Sequence, residues 1–483
     1  MKLLYLLISS ILYVLSFSPF DYKLSIFFSL ILLFYVLDGL SVRDKVKSIL
    51  YFSVAFHLIG VSWISHSLLN FGSLGYLLSY TTTFIVALII SLPYAVVGLH
   101  QSVSKNGFLN LFFISSLFVV AEYLKSVMFG GFPWLLIGHS QNSTVFDFVY
   151  PFFGSLTVSY LVVLVSLFSY MAIVHSRKPY ILLSIVSLLL IPLTYKDHNF
   201  FDETETNYLS FILYQPNIYP NDSYDRSKHF ALMEKYNNIL IKNKSSDLVI
   251  FPETIISEPY DKNNMLYKYF QSSKNKDNLL ISGLFSSEKN HYYNSMIFFS
   301  DVTQTYNKRK LVPFGEYTPW YNSLLKLSEN LKIPLSNLSH GSKEIDKISF
   351  GDVNLIPMIC FESTFPHLIE SSADNEIIIN ISNDGWFGNT LAPYQHLQIT
   401  QIRALEFNRY ILRATNTGIS AVINNQGRVV DMLENNVEGT LKGQIPTTMR
   451  RSFYSEYGDL PVLMLIFFSL LIKGFNIVTK YHE

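Results

Sequence analysis

The sequence predicts a multi-pass α-helical membrane bundle of eight spans joined to an α/β layered domain, and three observations carry that prediction. The 483 residues are 49% hydrophobic but only 15% charged, with a mean hydropathy of +0.27, which is too apolar for a soluble protein of this length. The apolar residues concentrate in 1–195 and again in 460–472. Residues 197–457, by contrast, alternate strand-like and helix-like segments of ordinary polarity.

Seven apolar segments precede the polar domain and an eighth follows it. A membrane-spanning helix needs about 20 predominantly apolar residues, or fewer where the helix is short or mismatched to the bilayer. The predicted spans lie at 3–20, 24–38, 48–68, 76–99, 108–128, 155–175, 179–195 and 459–476. The first would also suit a cleaved signal peptide, but no small-x-small cleavage site follows it. The sequence therefore predicts a seven-span domain at 1–196, an outer domain at 197–457, and an eighth helix with a cytoplasmic tail at 458–483.

Lysine and arginine residues in the short loops set the predicted orientation, because positively charged loops stay in the cytoplasm. With the N-terminus inside, nine cations fall in inside segments and three in outside loops. The inside set is Lys2, Arg43, Lys45, Lys47, Lys105, Arg177, Lys178, Lys473 and Lys480, and the outside set is Lys23, Lys125 and Lys196. We therefore expect both termini to be cytoplasmic and the 197–457 domain to lie on the outer side.

The four tryptophans, Trp63, Trp134, Trp320 and Trp386, all fall at or beyond the outer ends of the predicted spans. Tryptophan favours the membrane–water interface, so we expect Trp134, Trp320 and Trp386 to contact lipid or substrate. Residues 320–331 carry one apolar stripe at helical spacing. That stripe suits either an arm that dips into the bilayer or a helix packed on the domain core.

Charge and cysteine content exclude several classes of function. The formal net charge is zero, so nothing indicates a nucleic-acid partner. Cys360 is the single cysteine, so an intramolecular disulfide is excluded. No Cys/His group has metal-ligand spacing, and neither a P-loop nor a dinucleotide fingerprint occurs. The sequence thus predicts neither a metal nor a cofactor.

Strand and helix signals in the outer domain place three polar residues at strand ends. Predicted strands lie at 208–215, 247–253, 278–285, 293–300, 353–362, 375–384 and 417–424, and predicted helices at 226–244 and 394–413. Chemistry in layered α/β sheets tends to sit at the carboxyl ends of strands. Glu253, Lys308 and Cys360 lie at or just after such ends. Each alone also fits an ordinary interpretation, a solvated charge or a small buried thiol, and spacing alone does not bring them together.

The sequence motifs around these residues supply that connection. The segments "FPET", "YNKRKLVPFGEYTPW", "MICFES" and "NISNDGWFGNTLAPYQHLQITQIRALEFNRYILRATNTGISAVI" resemble the nitrilase (carbon–nitrogen hydrolase) superfamily. With eight predicted spans, "SFSPFD" after the first of them and "FGGFPWLLIGHSQ" at 129–141, the chain resembles the apolipoprotein N-acyltransferase family over essentially its whole length. The resemblance implies that the outer domain is a nitrilase-like αββα sandwich.

The same resemblance implies a set of site residues. The catalytic glutamate of the family falls on Glu253 and its nucleophile on Cys360. The family pattern Lys-x-(His or Arg)-Leu-Val-Pro-Phe-Gly-Glu places the catalytic ammonium on Lys308, puts Lys310 at the His/Arg position, and puts a second essential carboxylate on Glu316.

Three further positions follow from the alignment of motifs. Glu362 matches another functional carboxylate of the family. Phe361 departs from the tyrosine that usually follows the nucleophile, so a phenolic hydroxyl there is dispensable or its role has moved. Tyr224 stands where the family has a tryptophan, and it is the remaining candidate for substrate contact.

The resemblance implies an acyltransferase of the bacterial inner membrane with a periplasmic catalytic domain. An acyl chain from a phospholipid, with phosphatidylethanolamine as the expected donor, would pass through a thioester on Cys360. It would then reach the α-amine of a diacylglyceryl-cysteine at the N-terminus of an apolipoprotein. The implied partners are this donor, this acceptor and the membrane, and we expect a monomer.

Two other functions remain open to the sequence. The same triad could hydrolyse a small amide or nitrile, with the helices as an anchor, although an anchor needs only one span. The chain could instead be a transporter or a lipid-binding receptor. Such spans should carry charge near the middle of the membrane, and the predicted spans carry almost none.

Overall fold

The computed structural model describes residues 1–72, 74–100, 103, 107–177, 179–181, 183, 207–219, 225–243, 245–257, 259–260, 278–318, 337–343 and 347–482. Nearly all of the predicted seventh span at 179–195 lies outside these ranges. So do Tyr224, Trp320 and the 320–331 stripe, and the expectations for them stay predictions.

The N-terminal region is helical throughout its described part, with one further helix at the C-terminus. The helices are α1 (Lys2–Leu15), α2 (Ser25–Leu37), α3 (Val42–Gly60), α4 (Trp63–Asn70), α5 (Tyr76–Ser91, continued by a 3₁₀ helix at Leu92–Leu99), α6 (Gly107–Val127) and α7 (Tyr150–Ile173), and the C-terminal one is Leu460–His482. Within the described ranges, three helices are long and apolar enough to cross a membrane: Tyr76–Leu99, Phe108–Gly130 and Tyr150–Ile173. The bent pair α3 and α4 brings that number to four.

The remaining apolar helices are short for a bilayer, so the predicted eight spans stay a prediction. The 14 residues of α1 extend about 21 Å at 1.5 Å per residue, against a hydrocarbon core of about 30 Å. α1 and α2 approach closely through serines, because Ser9 Oγ donates to the Ser29 carbonyl at 2.8 Å. The predicted third span at 48–68 is a helix bent by 52° after Gly60.

The strand-rich domain contains two mixed β-sheets. Its strands are β1 (Tyr208–Gln215), β2 (Leu248–Ile250), β3 (Pro259–Tyr260), β4 (Leu279–Glu288), β5 (His291–Phe299), β6 (Gln304–Asn307), β7 (Ile348–Phe350), β8 (Val353–Ile359), β9 (Glu376–Ser382), β10 (Ile411–Thr415), β11 (Ala421–Ile423), β12 (Val429–Met432) and β13 (Gly439–Pro446). The first sheet has the order β13-β1-β2-β4-β5-β6 with β3 beside β4, and the second has the order β12-β11-β10-β9-β8-β7.

Helices cover the outer faces of the two sheets, which gives the expected αββα sandwich. α8 (His229–Lys242) packs Leu232, Tyr236 and Leu240 on the first sheet. α9 (Ala392–Phe407) packs on the second, and the short helix α10 (Phe453–Tyr457) follows β13. In β9 the residues Ile377, Ile379 and Ile381 face the first sheet, while Ile378 faces α9. Because both faces of the strand are covered, its apolar residues run almost without interruption.

The predicted strands of this domain are found, and one predicted helix is too long. β1 spans 208–215 as predicted, and the other predicted strands overlap β2, β4, β5, β8, β9 and β11. The helix predicted at 394–413 ends at Phe407, and β10 begins at Ile411. Asn408 ends the helix because it adopts a left-handed conformation with φ of 53°, which asparagine tolerates better than most residues.

Candidate active site

The site forms where the ends of strands from both sheets meet. Glu253 follows β2 and Lys308 follows β6 of the first sheet, while Cys360 follows β8 of the second. Gly283 of β4 makes the close approach possible. A Cβ at that position would lie 2.5 Å from Glu253 Cα and 2.8 Å from Ile381 Cδ1. Any side chain there would therefore push the Glu253 backbone and the second sheet apart.

Lys308 bridges two carboxylates inside the domain. Its Nζ lies 3.2 Å from Glu253 Oε1 and 2.8 Å from Glu316 Oε1, and Lys308 is 1% exposed. Asn294 Nδ2 donates to the same two oxygens, at 2.7 Å each. The other Glu253 oxygen accepts from the Asn383 backbone N–H at 2.7 Å. The four side chains of Glu253, Asn294, Lys308 and Glu316 form what we call the lysine cluster, which carries two carboxylates and one ammonium.

The structure places Lys308, rather than Lys310, in this cluster. Burial alone would lower the pKa of Lys308, but Glu253 and Glu316 raise it well above its ordinary value. Lys308 is therefore a permanently charged group at neutral pH. Lys310 lies elsewhere, with its Nζ 4.5 Å from the centre of the Phe365 ring, where burial lowers its pKa.

Cys360 lies in a strained turn directly after β8. The turn Cys360–Thr364 is a short 3₁₀ helix, and Cys360 has a φ of 51°, a conformation that is costly for a residue with a side chain. The thiol is 8% exposed. Burial raises its pKa, and the negative charge of Glu253 adds to the rise, while the Lys308 charge and a hydrogen bond from Ser382 act in the opposite direction. The thiol is thus protonated at neutral pH, and a base is needed to form the thiolate.

Glu362 ties the Cys360–Thr364 turn to the segment that carries Lys308. Its Oε2 accepts from the Ile359 N–H at 2.8 Å, and its Oε1 accepts from the Arg309 N–H at 2.6 Å and from the Tyr306 hydroxyl at 2.9 Å. Burial raises the pKa of Glu362, but these N–H donors act against the rise. The fully buried carboxylate thus fixes two backbone segments relative to each other.

A second buried charge group, which we call the arginine cluster, lies behind the turn on the α9 side. It consists of Asp384, His396 and Arg413. Arg413 Nη2 donates to Asp384 Oδ2 at 2.8 Å, and Asp384 Oδ1 lies 3.1 Å from His396 Nδ1. His396 Nε2 lies 3.1 Å from the Cys360 carbonyl oxygen and 2.9 Å from Ser363 Oγ. The Arg413 charge is the main factor that holds the pKa of Asp384 below its usual range, against the effect of burial.

The membrane region contacts this part of the domain through the loop at 131–141. Lys125 Nζ donates to the Trp134 carbonyl at 2.8 Å, and the Trp134 indole N–H donates to Gln395 Oε1 at 2.7 Å. Gln395 Nε2 in turn donates to the Gly60 carbonyl at the bend between α3 and α4, at 3.1 Å. Trp134 is 2% exposed, so it joins the two regions, and its contact with lipid stays a prediction.

A second contact joins α4 to the loop after β9. Ser67 Oγ donates to the Trp386 carbonyl at 2.8 Å, and the Trp386 ring meets Phe71 edge-on with centroids 4.8 Å apart. Gly388, with a φ of 59°, lies against the His66 ring so closely that a Cβ would overlap it. The half-buried Trp386 therefore forms part of a rim that the membrane helix and the catalytic domain share.

The structure also shows residues that the sequence did not single out. Asn294 joins the two carboxylates of the lysine cluster, and its only signal was a polar residue early in a predicted strand. His396 and Arg413 gave no signal beyond lying in the longest resembling motif.

Phe361 packs edge-on against Phe365, with centroids 5.0 Å apart. Across the described ranges, no group of three or more His, Cys, Asp and Glu side chains could hold a metal ion.

Comparisons with known proteins agree with this architecture. The model of the apolipoprotein N-acyltransferase N-terminal domain matches residues 9–168, and the carbon–nitrogen hydrolase model matches residues 213–454. An apolipoprotein N-acyltransferase of Pasteurella multocida (strain Pm70) is 28% identical over 498 residues, covering 98% of this chain and 95% of that protein. The one of Wigglesworthia glossinidia brevipalpis is 31% identical over 380 residues, covering 76% of this chain and 74% of that protein.

A CN-hydrolase superfamily protein of Xanthomonas campestris has a solved structure that is 17% identical to this chain, with a TM-score of 0.40 over 50% of this chain and 91% of that one. Family models cover both the helical region and the sandwich, and a relative above 30% identity spans about three quarters of each chain. The chain therefore belongs to the apolipoprotein N-acyltransferase family of the nitrilase superfamily and is an amide-forming acyltransferase of a bacterial membrane.

Proposed function

We propose that this protein transfers an acyl chain from a phospholipid, with phosphatidylethanolamine as the expected donor, to the α-amine of a diacylglyceryl-cysteine on an apolipoprotein. The chain travels as a thioester on Cys360. The observation that carries the proposal is one buried thiol whose raised pKa is shaped by a carboxylate and an ammonium, Glu253 and Lys308.

In the first half-reaction, Glu253 takes the Cys360 proton and Sγ attacks the ester carbonyl of the phospholipid. The new C–S bond turns the carbonyl into a tetrahedral oxyanion, which the Lys308 ammonium and the Phe361 backbone N–H stabilise. The oxyanion collapses and the ester C–O bond breaks. The lysophospholipid then leaves with the proton that Glu253 held, and the acyl thioester remains.

In the second half-reaction, the lipoprotein amine attacks the thioester. Glu253 takes a proton from the attacking nitrogen, the C–N bond forms and the C–S bond breaks. The proton returns to Sγ, so the enzyme is restored and an amide is released. The site must keep water from the thioester, which suits a location at the junction with the membrane region.

Glu316, Asn294 and Glu362 act as supports in this scheme. Glu316 and Asn294 hold Lys308 and Glu253 at bonding distance, and the excess carboxylate of the lysine cluster leaves one group able to accept a proton. Glu362 fixes the turn that presents Sγ.

Intact mass after incubation with phospholipid, compared between the wild type and Cys360→Ala, tests the proposal. We expect a gain of one acyl chain in the wild type alone, and transfer of that chain to a diacylglyceryl-cysteine peptide when the peptide is added. An equal gain in both proteins would place the nucleophile elsewhere. Release of the chain only as free fatty acid, even with the peptide present, would identify a hydrolase instead.

We also propose the predicted topology of eight spans, with cytoplasmic termini and the catalytic domain in the periplasm, and a monomeric enzyme. The excess of cations in the predicted inside segments supports this orientation. Protease added to intact spheroplasts should cleave within 197–457 and leave tags at both termini protected. Cleavage of either tag would overturn the orientation.

A further inference from the structure

We infer that His396 is a positioning residue that fixes the Cys360–Phe361 peptide, so that the Phe361 N–H points at the oxyanion. The inference rests on the proposed thioester chemistry and assigns one residue to a defined part of it. Its basis is the contact between His396 Nε2 and the Cys360 carbonyl oxygen at 3.1 Å, inside a domain where His396 is 1% exposed.

The neighbours of the His396 ring determine which nitrogen carries the proton. The Cys360 carbonyl can only accept a hydrogen bond, so a bond to it needs an N–H at Nε2. Arg413 Nη2, which can only donate, lies 3.1 Å from Nδ1 and suits a bare nitrogen there. Asp384 Oδ1 faces the same nitrogen at 3.1 Å and can accept from it in addition to Ser382, while Asp384 Oδ2 accepts from Arg413. The contact with the Cys360 carbonyl needs an N–H at Nε2 whichever of these partners Nδ1 takes. Burial and the Arg413 charge lower the pKa of His396 and outweigh the Asp384 carboxylate, which raises it, so the ring is neutral. The contact with the Cys360 carbonyl then assigns the one ring proton to Nε2.

The planarity of the peptide turns this contact into a constraint on the reaction. In a trans peptide the C=O and the N–H point in opposite directions. α9 packs on the face of the second sheet that is turned away from the first, and the Cys360 carbonyl points toward α9 at His396. The Phe361 N–H therefore points the opposite way, to the side on which Glu253 and Lys308 lie.

The turn needs such a restraint because Cys360 holds a conformation that residues with a side chain rarely adopt. Glu362 holds the strand end before Cys360 by accepting from the Ile359 N–H. His396 holds the peptide after it. Without His396, that peptide could rotate and turn its carbonyl toward the place where the oxyanion forms, while Sγ stayed near Glu253.

The His396 ring is itself held from the membrane side. The Trp134 ring lies 5.8 Å from it between centroids, and the neighbouring Gln395 bonds both Trp134 and the Gly60 carbonyl. Asp384 and Arg413 hold the opposite edge of the ring. The ring has few ways to turn, and a substitution at His396 therefore alters the donor at Nε2 more than it alters the surroundings.

The test compares His396→Phe, which keeps a ring but has no donor, with His396→Gln and His396→Asn. A glutamine can place its amide nitrogen near the position of Nε2, whereas the asparagine amide reaches only about as far as Nδ1. Two rates are measured on each purified full-length protein. One is single-turnover acylation of Cys360 by labelled phosphatidylethanolamine, and the other is alkylation of the single cysteine by iodoacetamide. Alkylation needs the thiolate but forms no oxyanion, so it reports the nucleophile alone.

We expect acylation in His396→Phe and His396→Asn to fall by about 10²-fold, the typical loss of one oxyanion donor, with alkylation within about threefold of the wild type. His396→Gln should recover most of the acylation rate. In His396→Phe and His396→Asn, we expect the loss to appear in kcat rather than in KM. Equal losses of acylation and alkylation, or a glutamine variant no better than asparagine, would overturn the inference. If His396→Phe does not fold, the ratio of the acylation rates of His396→Gln and His396→Asn still tests the inference. A wild type that gains no acyl chain would overturn the proposed function instead.

Discussion

The two buried charge groups of the catalytic domain differ in their balance of charge. The lysine cluster has two carboxylates and one ammonium, and its extra carboxylate, Glu253, acts on the pKa of the nucleophile. The arginine cluster has one carboxylate and one guanidinium beside a neutral imidazole, and its charges cancel. The difference indicates a division of labour. An unbalanced cluster has a group left to take a proton, whereas a balanced one can only hold its neighbours in place.

The largest effect should come from Glu253→Gln, which keeps the shape of the lysine cluster but removes its base. Acylation of Cys360 should fall by about 10³-fold, within the range typical of general-base catalysis. Iodoacetamide alkylation should slow as well, because the thiolate no longer forms readily. An unchanged alkylation rate would show that another group takes the proton, and the lysine cluster would then be as passive as the arginine cluster.

Lys308→Met should lower acylation by about 10²–10³-fold, because the oxyanion loses its charged partner. The variant also leaves the buried Glu253 and the half-buried Glu316 without their ammonium partner, so the free energy of unfolding should fall by about 3–5 kcal/mol. Single-turnover acylation and thermal unfolding in detergent measure the two effects. Lys310→Met is the matched control, and we expect its acylation rate to stay within about threefold of the wild type. Similar losses in both variants would contradict the assignment of the ammonium to Lys308.

Arg413→Met should act on stability first, because it leaves Asp384 as an uncompensated buried charge. The free energy of unfolding should fall by about 3–5 kcal/mol. The folded fraction should acylate at most about 10²-fold more slowly than the wild type, because Arg413 holds the His396 ring but no group of the arginine cluster exchanges a proton with substrate. Thermal unfolding, and acylation normalised to folded protein, check these outcomes. A stable protein with a 10³-fold slower reaction would contradict the division of labour.

The smallest effect that we expect is a pH dependence of the melting temperature, which comes from a residue at the junction of the membrane region and the catalytic domain. Burial raises the pKa of Glu406 to about 7, while the Arg403 charge opposes the rise. Glutamate in an unfolded chain titrates near ~4.3, so the folded state binds this proton more tightly. The stabilisation that this bound proton provides is fully present at a pH below the pKa of the unfolded chain. It is lost as pH rises through about 7. The melting temperature should therefore fall by a few degrees from about pH 5 to about pH 8, and Glu406→Gln should flatten the decline. An equal decline in both proteins would assign it to other groups.

The αββα sandwich came from the resemblance to the nitrilase superfamily, but the strand pattern alone predicted the α/β layers, because residues that face two cores leave long apolar runs that end where chemistry can sit. The strand pattern placed Glu253, Lys308 and Cys360 at strand ends, and the strand order of the first sheet, which carries both Glu253 and Lys308, brings these two to 3.2 Å. It did not predict Asn294 or His396, because their importance lies in contacts between segments far apart in the chain. A polar residue inside a strand or a helix looks the same in sequence whether it bridges two carboxylates or faces water.

The helix boundaries show the same limit. The periodicity of 394–413 continues past Phe407, and only the left-handed conformation of Asn408 separates α9 from β10. In the N-terminal region, hydropathy marked each apolar segment but not its length as a helix. The single predicted span at 48–68 is broken after Gly60, and Leu135 packs so closely against that glycine that a Cβ there would overlap it. Such a close approach depends on tertiary packing, which a hydropathy window does not contain.

The contact between Gly388 and His66 has a consequence for the assembly of the protein. α4 contributes one side of the rim beside the site, and it precedes the catalytic domain in the chain, so the rim is complete only once the domain has packed against α4. We therefore expect a finished site only after the catalytic domain has packed against α4, which makes assembly of the two regions a condition for activity.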